Sequence, residues 1–227
     1  MSVKYRFSNT SRLIHGHKES NGSEARSHSF PIYQTSTFRF DTVEQGMGIF
    51  AGTDMHDAYS RISNPNYRCL ENSLCVFEDG EAAQVFDSGM SAVKVTLLSL
   101  LKSGDEIIAH RNLYGGTVRL LKELRNFGIE TKFVDARQIT NVSDAITPAT
   151  KIVFLETPSN PVMDICDFER IKMILDKAGR SDILIAVDNT FASPYNQKPL
   201  RNQADISIQS LTKYINGFGN ATGGAII

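Results

Sequence analysis

Ile183-Leu184-Ile185-Ala186-Val187-Asp188-Asn189-Thr190 is the stretch on which the fold turns. The apolar run at 183–187 offers no polar position for a solvent-facing side, so it reads as a strand buried on both faces, as strands of parallel sheets are. On either side the chain alternates strands with helices. Further strands are expected over 84–87, 106–110, 131–135, 151–156, 206–209 and 224–227, with helices over 91–101, 116–127 and 168–178 and a short helical turn over 143–146. Val118, Leu121 and Leu124 share one face of the second helix, and Ile171, Ile174 and Leu175 one face of the third, which Gly179 ends. Thr157-Pro158 stops the strand at 156. Short apolar strands alternating with helices predict an α/β fold, a mostly parallel sheet covered by helices on both faces.

Residues 1–65 lack this rhythm: they hold scattered polar residues, Gly46, Gly48, Gly52 and one extended candidate over 31–40. They read as an irregular N-terminal arm, with 66–227 as the large domain. The chain has 227 residues, 24 Lys+Arg against 25 Asp+Glu and 41% hydrophobic residues, which excludes disorder, collagen and coiled coil. A pI near 6.5 without a basic face argues against nucleic acid as a partner. No apolar run approaches a membrane span, and residues 1–16 lack the core of a signal peptide, so a cytoplasmic protein is expected and the glycosylation tripeptides at Asn9, Asn21, Asn141 and Asn220 carry no meaning. Cys69, Cys75 and Cys166 suggest neither a disulfide framework nor a metal site, and His15-Gly16-His17 reads as incidental. The end at Ile226-Ile227, inside an apolar run, is what a fragment would show.

Open parallel sheets bind ligands at the carboxyl ends of their strands. Small and polar residues follow five of the expected strands: Ser88-Gly89-Met90-Ser91, Leu113-Tyr114-Gly115-Gly116-Thr117, Glu156-Thr157-Pro158-Ser159-Asn160-Pro161, Asp188-Asn189-Thr190 and Ser210-Leu211-Thr212-Lys213-Tyr214. Gly89 and Met90 at a helix start suit a phosphate, and Ser210 and Thr212 add hydroxyl donors. Asp188, leaving a buried strand, needs a cationic partner, and a protonated pyridine nitrogen is one. Tyr114 can stack on a flat heterocycle, and Lys213 can form an imine with an aldehyde and then act as a base. Taken singly, a lysine after a strand is usually solvated and a tyrosine usually packs. Together, these groups describe a site for pyridoxal 5′-phosphate.

These motifs, with Pro31-Ile32-Tyr33-Gln34-Thr35-Ser36-Thr37-Phe38, Tyr59-Ser60-Arg61 and Asn64-Pro65, give the chain its resemblance to a known family. It resembles the Cys/Met-metabolism pyridoxal-phosphate enzymes, the transsulfuration group of cystathionine γ-synthases, cystathionine γ-lyases, methionine γ-lyases and O-acylhomoserine sulfhydrylases. The resemblance implies an aspartate-aminotransferase-like sheet domain of fold type I, followed in the family by a C-terminal domain missing here. It implies β- or γ-elimination or γ-replacement on sulfur or homoserine-derived amino acids. Lys213 is then the Schiff-base lysine, Asp188 the partner of the ring nitrogen and Tyr114 the stacking and acid/base residue. Gly89, Met90, Ser210 and Thr212 form the phosphate cup, with Ser88, Thr190 and Asn160 beside the cofactor. Tyr59 and Arg61 reach the cofactor of a neighbouring subunit, so a homodimer or homotetramer is implied. Three stretches depart from the family pattern. Gly217-Phe218-Gly219-Asn220 replaces Gly-His-Ser-Asp, Asn66 replaces a threonine, and Gly116 stands where methionine γ-lyases commonly have cysteine. A truncated, non-catalytic piece of such an enzyme is the other reading.

Overall fold

The structure, a computed structural model, describes Ser11 and residues 29–227. His15-Gly16-His17 and the tripeptide asparagines Asn9 and Asn21 lie outside the described residues. The chain divides into two compact units between Val76 and Phe77.

In the N-terminal unit, the segment expected to be extended over 31–40 makes one isolated antiparallel bridge, between Thr37 and Tyr59. The unit also contains helix α1 (Val43–Phe50), where the sequence suggested only loops. Thr42 caps it, its hydroxyl accepting the Gln45 N–H at 3.1 Å, while Gln45 Oε1 accepts the Asp41 N–H at 2.7 Å. Gly46 and Gly48 lie inside α1 and weaken its helical signal. Gly46 is there because a Cβ would stand 2.9 Å from the Phe40 ring. Helix α2 (Pro65–Glu78) starts on a proline, whose missing N–H costs nothing at that position, and carries Cys69 and Cys75.

In chain order the second unit runs β1 (Gln84–Phe86), α3 (Gly89–Leu100), β2 (Glu106–His110), α4 (Gly115–Glu123), a 3₁₀ turn (Leu124–Phe127), β3 (Glu130–Val134), α5 (Ile139–Ala145) and β4 (Thr150–Glu156). It continues with α6 (Phe168–Lys177), β5 (Leu184–Asp188), α7 (Ser193–Asn196), a second 3₁₀ turn (Pro199–Asn202), β6 (Ile206–Gln209) and β7 (Gly224–Ile226). They build one 7-stranded sheet in the order β1-β7-β6-β5-β4-β2-β3. The pairs among β2 to β6 are parallel, and β7 is antiparallel to both β6 and β1. The segment between β6 and β7 contains no helix and turns back beside β6, which gives an antiparallel neighbour.

Alternate side chains of the central strands enter opposite cores. Ile107, Ala109, Ile152, Phe154 and Ala186 pack with Ala92 and Leu97 of α3 and Leu121 of α4. Ile108, Val153, Leu155, Ile185 and Val187 pack instead with Val142 of α5 and Ile171 and Leu175 of α6. Both faces of the sheet are therefore covered, and the period-2 pattern is invisible in the sequence because both sides are apolar. The helix expected over 116–127 is an α-helix only to Glu123 and tightens into 3₁₀ before Gly128, whose φ is +75°. The short turn expected over 143–146 is the full helix α5: fully buried Val142 holds it, against the low helix propensity of Ile139, Thr140 and Asn141.

A buried polar node lies near the carboxyl ends of β5 and β6. Glu78, the last residue of α2, has no exposed surface, and its Oε1 accepts from Ser207 Oγ at 2.8 Å, Gln209 Nε2 at 2.7 Å and Asn189 Nδ2 at 3.3 Å. Burial raises its pKa, and Oε2 has no partner. Among the described residues no helix is long and apolar enough to cross a membrane. Glu78→Ala should cost about 3 kcal/mol in urea denaturation, because three buried donors lose their acceptor. Glu78→Gln, which keeps an acceptor oxygen, should cost less than about 1 kcal/mol.

Candidate active site

A cavity of about 240 Å³ opens at the carboxyl ends of the parallel strands. Every residue of this unit that the sequence assigned to a site lines it: Ser88, Gly89, Met90, Tyr114, Asn160, Asp188, Thr190, Ser210, Thr212 and Lys213. Tyr59 and Arg61 belong to the N-terminal unit, where the Arg61 guanidinium lies 5.3 Å from the centre of the Tyr59 ring. Phe218 and Asn220 do not line the cavity, and Phe218 is 89% exposed.

One wall is the start of α3. Ser88 caps the helix, its hydroxyl accepting the Ser91 N–H at 3.2 Å. Gly89 and Met90 follow, in the turn whose N–H groups have no intrahelical acceptor, at the positive end of a 12-residue helix. Gly89 must be glycine, since a Cβ would stand 2.7 Å from Ser210 Cβ. That close approach brings an anion-binding helix end against the Ser210 segment. The Thr212 hydroxyl is already engaged, donating to Gly223 O at 3.2 Å and accepting the Gly223 N–H at 3.1 Å.

Asp188 ends β5 at the floor. Its Oδ1 accepts from Thr190 Oγ1 at 2.5 Å and from the Thr190 N–H at 3.1 Å, and Thr190 Oγ1 accepts the Ser210 N–H at 2.9 Å. A relay of hydrogen bonds thus ties the acid to the Ser210 segment. Burial pushes the Asp188 carboxyl above its usual range. Lys213 follows on the same segment, its N–H donating to Ser210 O at 3.1 Å.

The opposite wall carries Tyr114, half exposed, and Asn160. Between them lies Glu156, to which the sequence gave no role. It is only 4% exposed; its Oε2 accepts the Tyr114 N–H and its Oε1 the Asn160 N–H, both at 2.7 Å. Burial and the nearby Asp188 charge raise its pKa to about 7. The only sequence signal was an acid ending a buried strand. Glycine at 116 leaves room for the Tyr114 ring, whose Cε1 would be 2.6 Å from a Cβ there.

A helix N-terminus beside hydroxyls, an uncompensated buried acid, an aromatic ring and a lysine in one cavity fit a phosphorylated, planar, basic heterocycle bearing a carbonyl group. A family model described as Cys/Met metabolism PLP-dependent enzyme matches residues 10–227. An L-methionine gamma-lyase of Fusobacterium nucleatum subsp. polymorphum is 44% identical over 200 residues, which are 88% of this chain and 50% of that protein. The crystal structure of cystathionine gamma-lyase from Lactobacillus plantarum complexed with L-serine superposes with a TM-score of 0.85 at 36% identity, covering 97% of this chain and 55% of that one. A Campylobacter jejuni protein assigned as an O-acetylhomoserine (thiol)-lyase, solved with N′-pyridoxyl-lysine-5′-monophosphate, gives 0.91 at 35% identity, covering 97% and 54%. The chain spans about half the length of the curated relatives it matches.

Glu156 binds its proton more tightly in the folded chain than the ordinary 4.5, holding it up to about pH 7. The folded state then binds more protons than the unfolded state across that interval, so stability is greatest below it and falls as pH rises through it. The urea midpoint of the cofactor-free chain should drop between about pH 5 and about pH 7, and Glu156→Gln should flatten that drop.

Proposed function

Because the chain belongs to the Cys/Met metabolism PLP-dependent enzyme family, we propose that it carries the cofactor-holding half of a cytoplasmic carbon–sulfur lyase or γ-synthase of the transsulfuration type. Its substrates would be sulfur or homoserine-derived amino acids. One observation carries this reading: Asp188, Thr190 and Ser210 are joined by hydrogen bonds beneath the N-terminus of α3, in the cavity that Lys213 and Tyr114 line. The residues present fit pyridoxal 5′-phosphate. Gly89, Met90 and Ser210 would hold its phosphate, joined by Thr212 where its hydroxyl turns from Gly223, with Asp188 at its ring nitrogen, Tyr114 at its ring face, Asn160 at its phenolic oxygen and Lys213 at its aldehyde carbon.

When bound, the cofactor supplies an electron sink for negative charge developing at the substrate Cα. Asp188 keeps the ring nitrogen protonated, and the Thr190 donors hold its carboxylate in place. The Lys213 amine, when not engaged with the cofactor, would be the base that takes the proton from Cα. The Tyr114 hydroxyl moves a proton to or from the sulfur or oxygen leaving at Cγ. Elimination at Cγ, the chemistry named for the methionine and cystathionine γ-lyases among the relatives, is the favoured outcome; the alternative is γ-replacement by an incoming thiol, as a γ-synthase or sulfhydrylase performs. Arg61 is suited to bidentate contact with a phosphate, and with Tyr59 it would reach the cofactor of a neighbouring copy in a homodimer or homotetramer.

The test is to incubate the chain with pyridoxal phosphate, reduce with borohydride and map the added mass. The expected result is a pyridoxyl group on the peptide containing Lys213, lost in Lys213→Ala and reduced at subsaturating cofactor in Asp188→Asn. Labelling spread over surface lysines, unchanged by Lys213→Ala, would sink the assignment.

A further inference from the structure

Three groups of buried polar residues in the second unit lie outside the reaction just described: the Glu78 node, the cluster around His110 and Asp164, and Glu156. The first ties the end of α2 to the sheet core and has no reach to the cavity. The other two share a property, because both join the loop after β2, which carries Tyr114, to the loop after β4, which carries Asn160.

Glu156 makes the inner tie. It is the last residue of β4 and pairs in register with Asp188 of β5. Along β4, Phe154 enters the core beneath α3 and α4 while Leu155 enters the opposite one, so strand alternation turns Glu156 to the Phe154 side. Asp188 faces the same way, since Ala186 packs with Phe154 and Val187 does not. Two backbone N–H groups from two different loops then need two acceptor oxygens at one buried point. A carboxylate has both, whereas an amide has one acceptor oxygen and a donor in place of the other.

The outer tie is centred on Asp164. Its Oδ2 accepts from His110 Nε2 at 3.1 Å and Asn112 Nδ2 at 2.7 Å, and its Oδ1 from an Arg137 guanidinium nitrogen at 2.9 Å. His110 Nδ1 accepts the Ala136 N–H at 3.1 Å, which places the ring proton on Nε2, toward Asp164. Asp164 also exchanges bonds with Ser159, its N–H donating to Ser159 Oγ and its carbonyl accepting the Ser159 N–H, both at 3.1 Å. With this second tie in place, loss of Glu156 leaves both loops attached.

We propose that Glu156 is a positioning residue that sets the separation of Tyr114 and Asn160 across the cavity, one carboxyl oxygen holding each loop; this rests on the reading of the cavity as a cofactor site. The separation fixes the slot for a planar ring, since one of the two residues covers the ring face and the other meets its oxygen. The groups facing Glu156 are Asp188 from β5, Tyr114 ahead of α4 and Lys213 across the cavity. Burial and the nearby Asp188 charge favour the protonated form of Glu156, while each N–H bond it accepts is stronger to an ionised oxygen.

The experiment is residue-resolved hydrogen exchange on the cofactor-free chain, with pyridoxal phosphate binding measured on the same samples. A hydrogen bond to a charged group converts to about tenfold or more in exchange rate. In Glu156→Ala the Tyr114 and Asn160 amides should both exchange about tenfold faster while amides of β2, β4 and β5 stay unchanged. In Glu156→Gln one of the two should be released. The dissociation constant for pyridoxal phosphate should rise about tenfold in Glu156→Ala, with labelling of Lys213 recovered at saturating cofactor. Unchanged loop amides, or acceleration of all amides together, would overturn the positioning role. A wild-type chain that takes no label at Lys213 would instead overturn the cofactor reading, while the exchange comparison still decides what Glu156 does.

Discussion

In a sheet covered on both faces, a polar side chain midway along a central strand is costly unless it is paired, and this constraint organises the second unit. Even and odd residues of β2, β4 and β5 enter different cores, and both cores are apolar. Polar chemistry is displaced to where strands end and backbone turns away. The parallel arrangement puts the carboxyl ends of β2, β4, β5 and β6 on one edge of the sheet. Tyr114, Glu156, Asp188 and Lys213 come together for that reason, although they are spread over 114–213 in the chain. The hydrophobic ordering of the sheet therefore builds the polar site.

The two acids sit at the less solvated part of this edge, which gives the cavity its electrostatic character. Neither Asp188 nor Glu156 forms an ion pair with an Arg or Lys among the described residues; each is held by backbone or hydroxyl donors. Burial makes the charged form of both expensive. A cationic group beside these two carboxyls, which are in register on adjacent strands, would stabilise their charged form, while the end of α3 offers positive potential to an anion. The two ends of the cavity call for opposite charges, and that polarity selects a ligand carrying both.

Much of this was legible in the sequence because it rests on local chemistry. The run at 183–187 and its acid gave a buried strand with a site at its end, and Ser88-Gly89-Met90 gave a helix start fit for an anion. What stayed hidden depends on contacts between distant residues. Helix α1 was masked by Gly46 and Gly48, whose place is explained by Phe40 for the first of them. Helix α5 owes its length to the burial of Val142, which no propensity of Ile139 or Thr140 announces. Glu156 looked like one more residue of a loop motif. Its role appears only when Tyr114 and Asn160, 42 and 4 residues away in sequence, both turn their N–H groups toward it.

The antiparallel strand β7 has the same kind of explanation, and it bears on the site. Inserted between β1 and β6, it brings the end of one next to the end of the other, and its first residue lies directly under the Ser88 turn. A Cβ on Gly224 would stand 2.1 Å from the Ser88 carbonyl oxygen, so only glycine lets β7 pass there. Gly89 repeats the condition above it, against Ser210. Two glycines thus allow three segments, 88–90, 210–213 and 223–224, to close on one another, Gly224 against the Ser88 backbone and Gly89 against Ser210. A larger residue at either position would push the start of α3 away from Ser210, and that end of the cavity would lose one of its two walls while the acid end stayed intact.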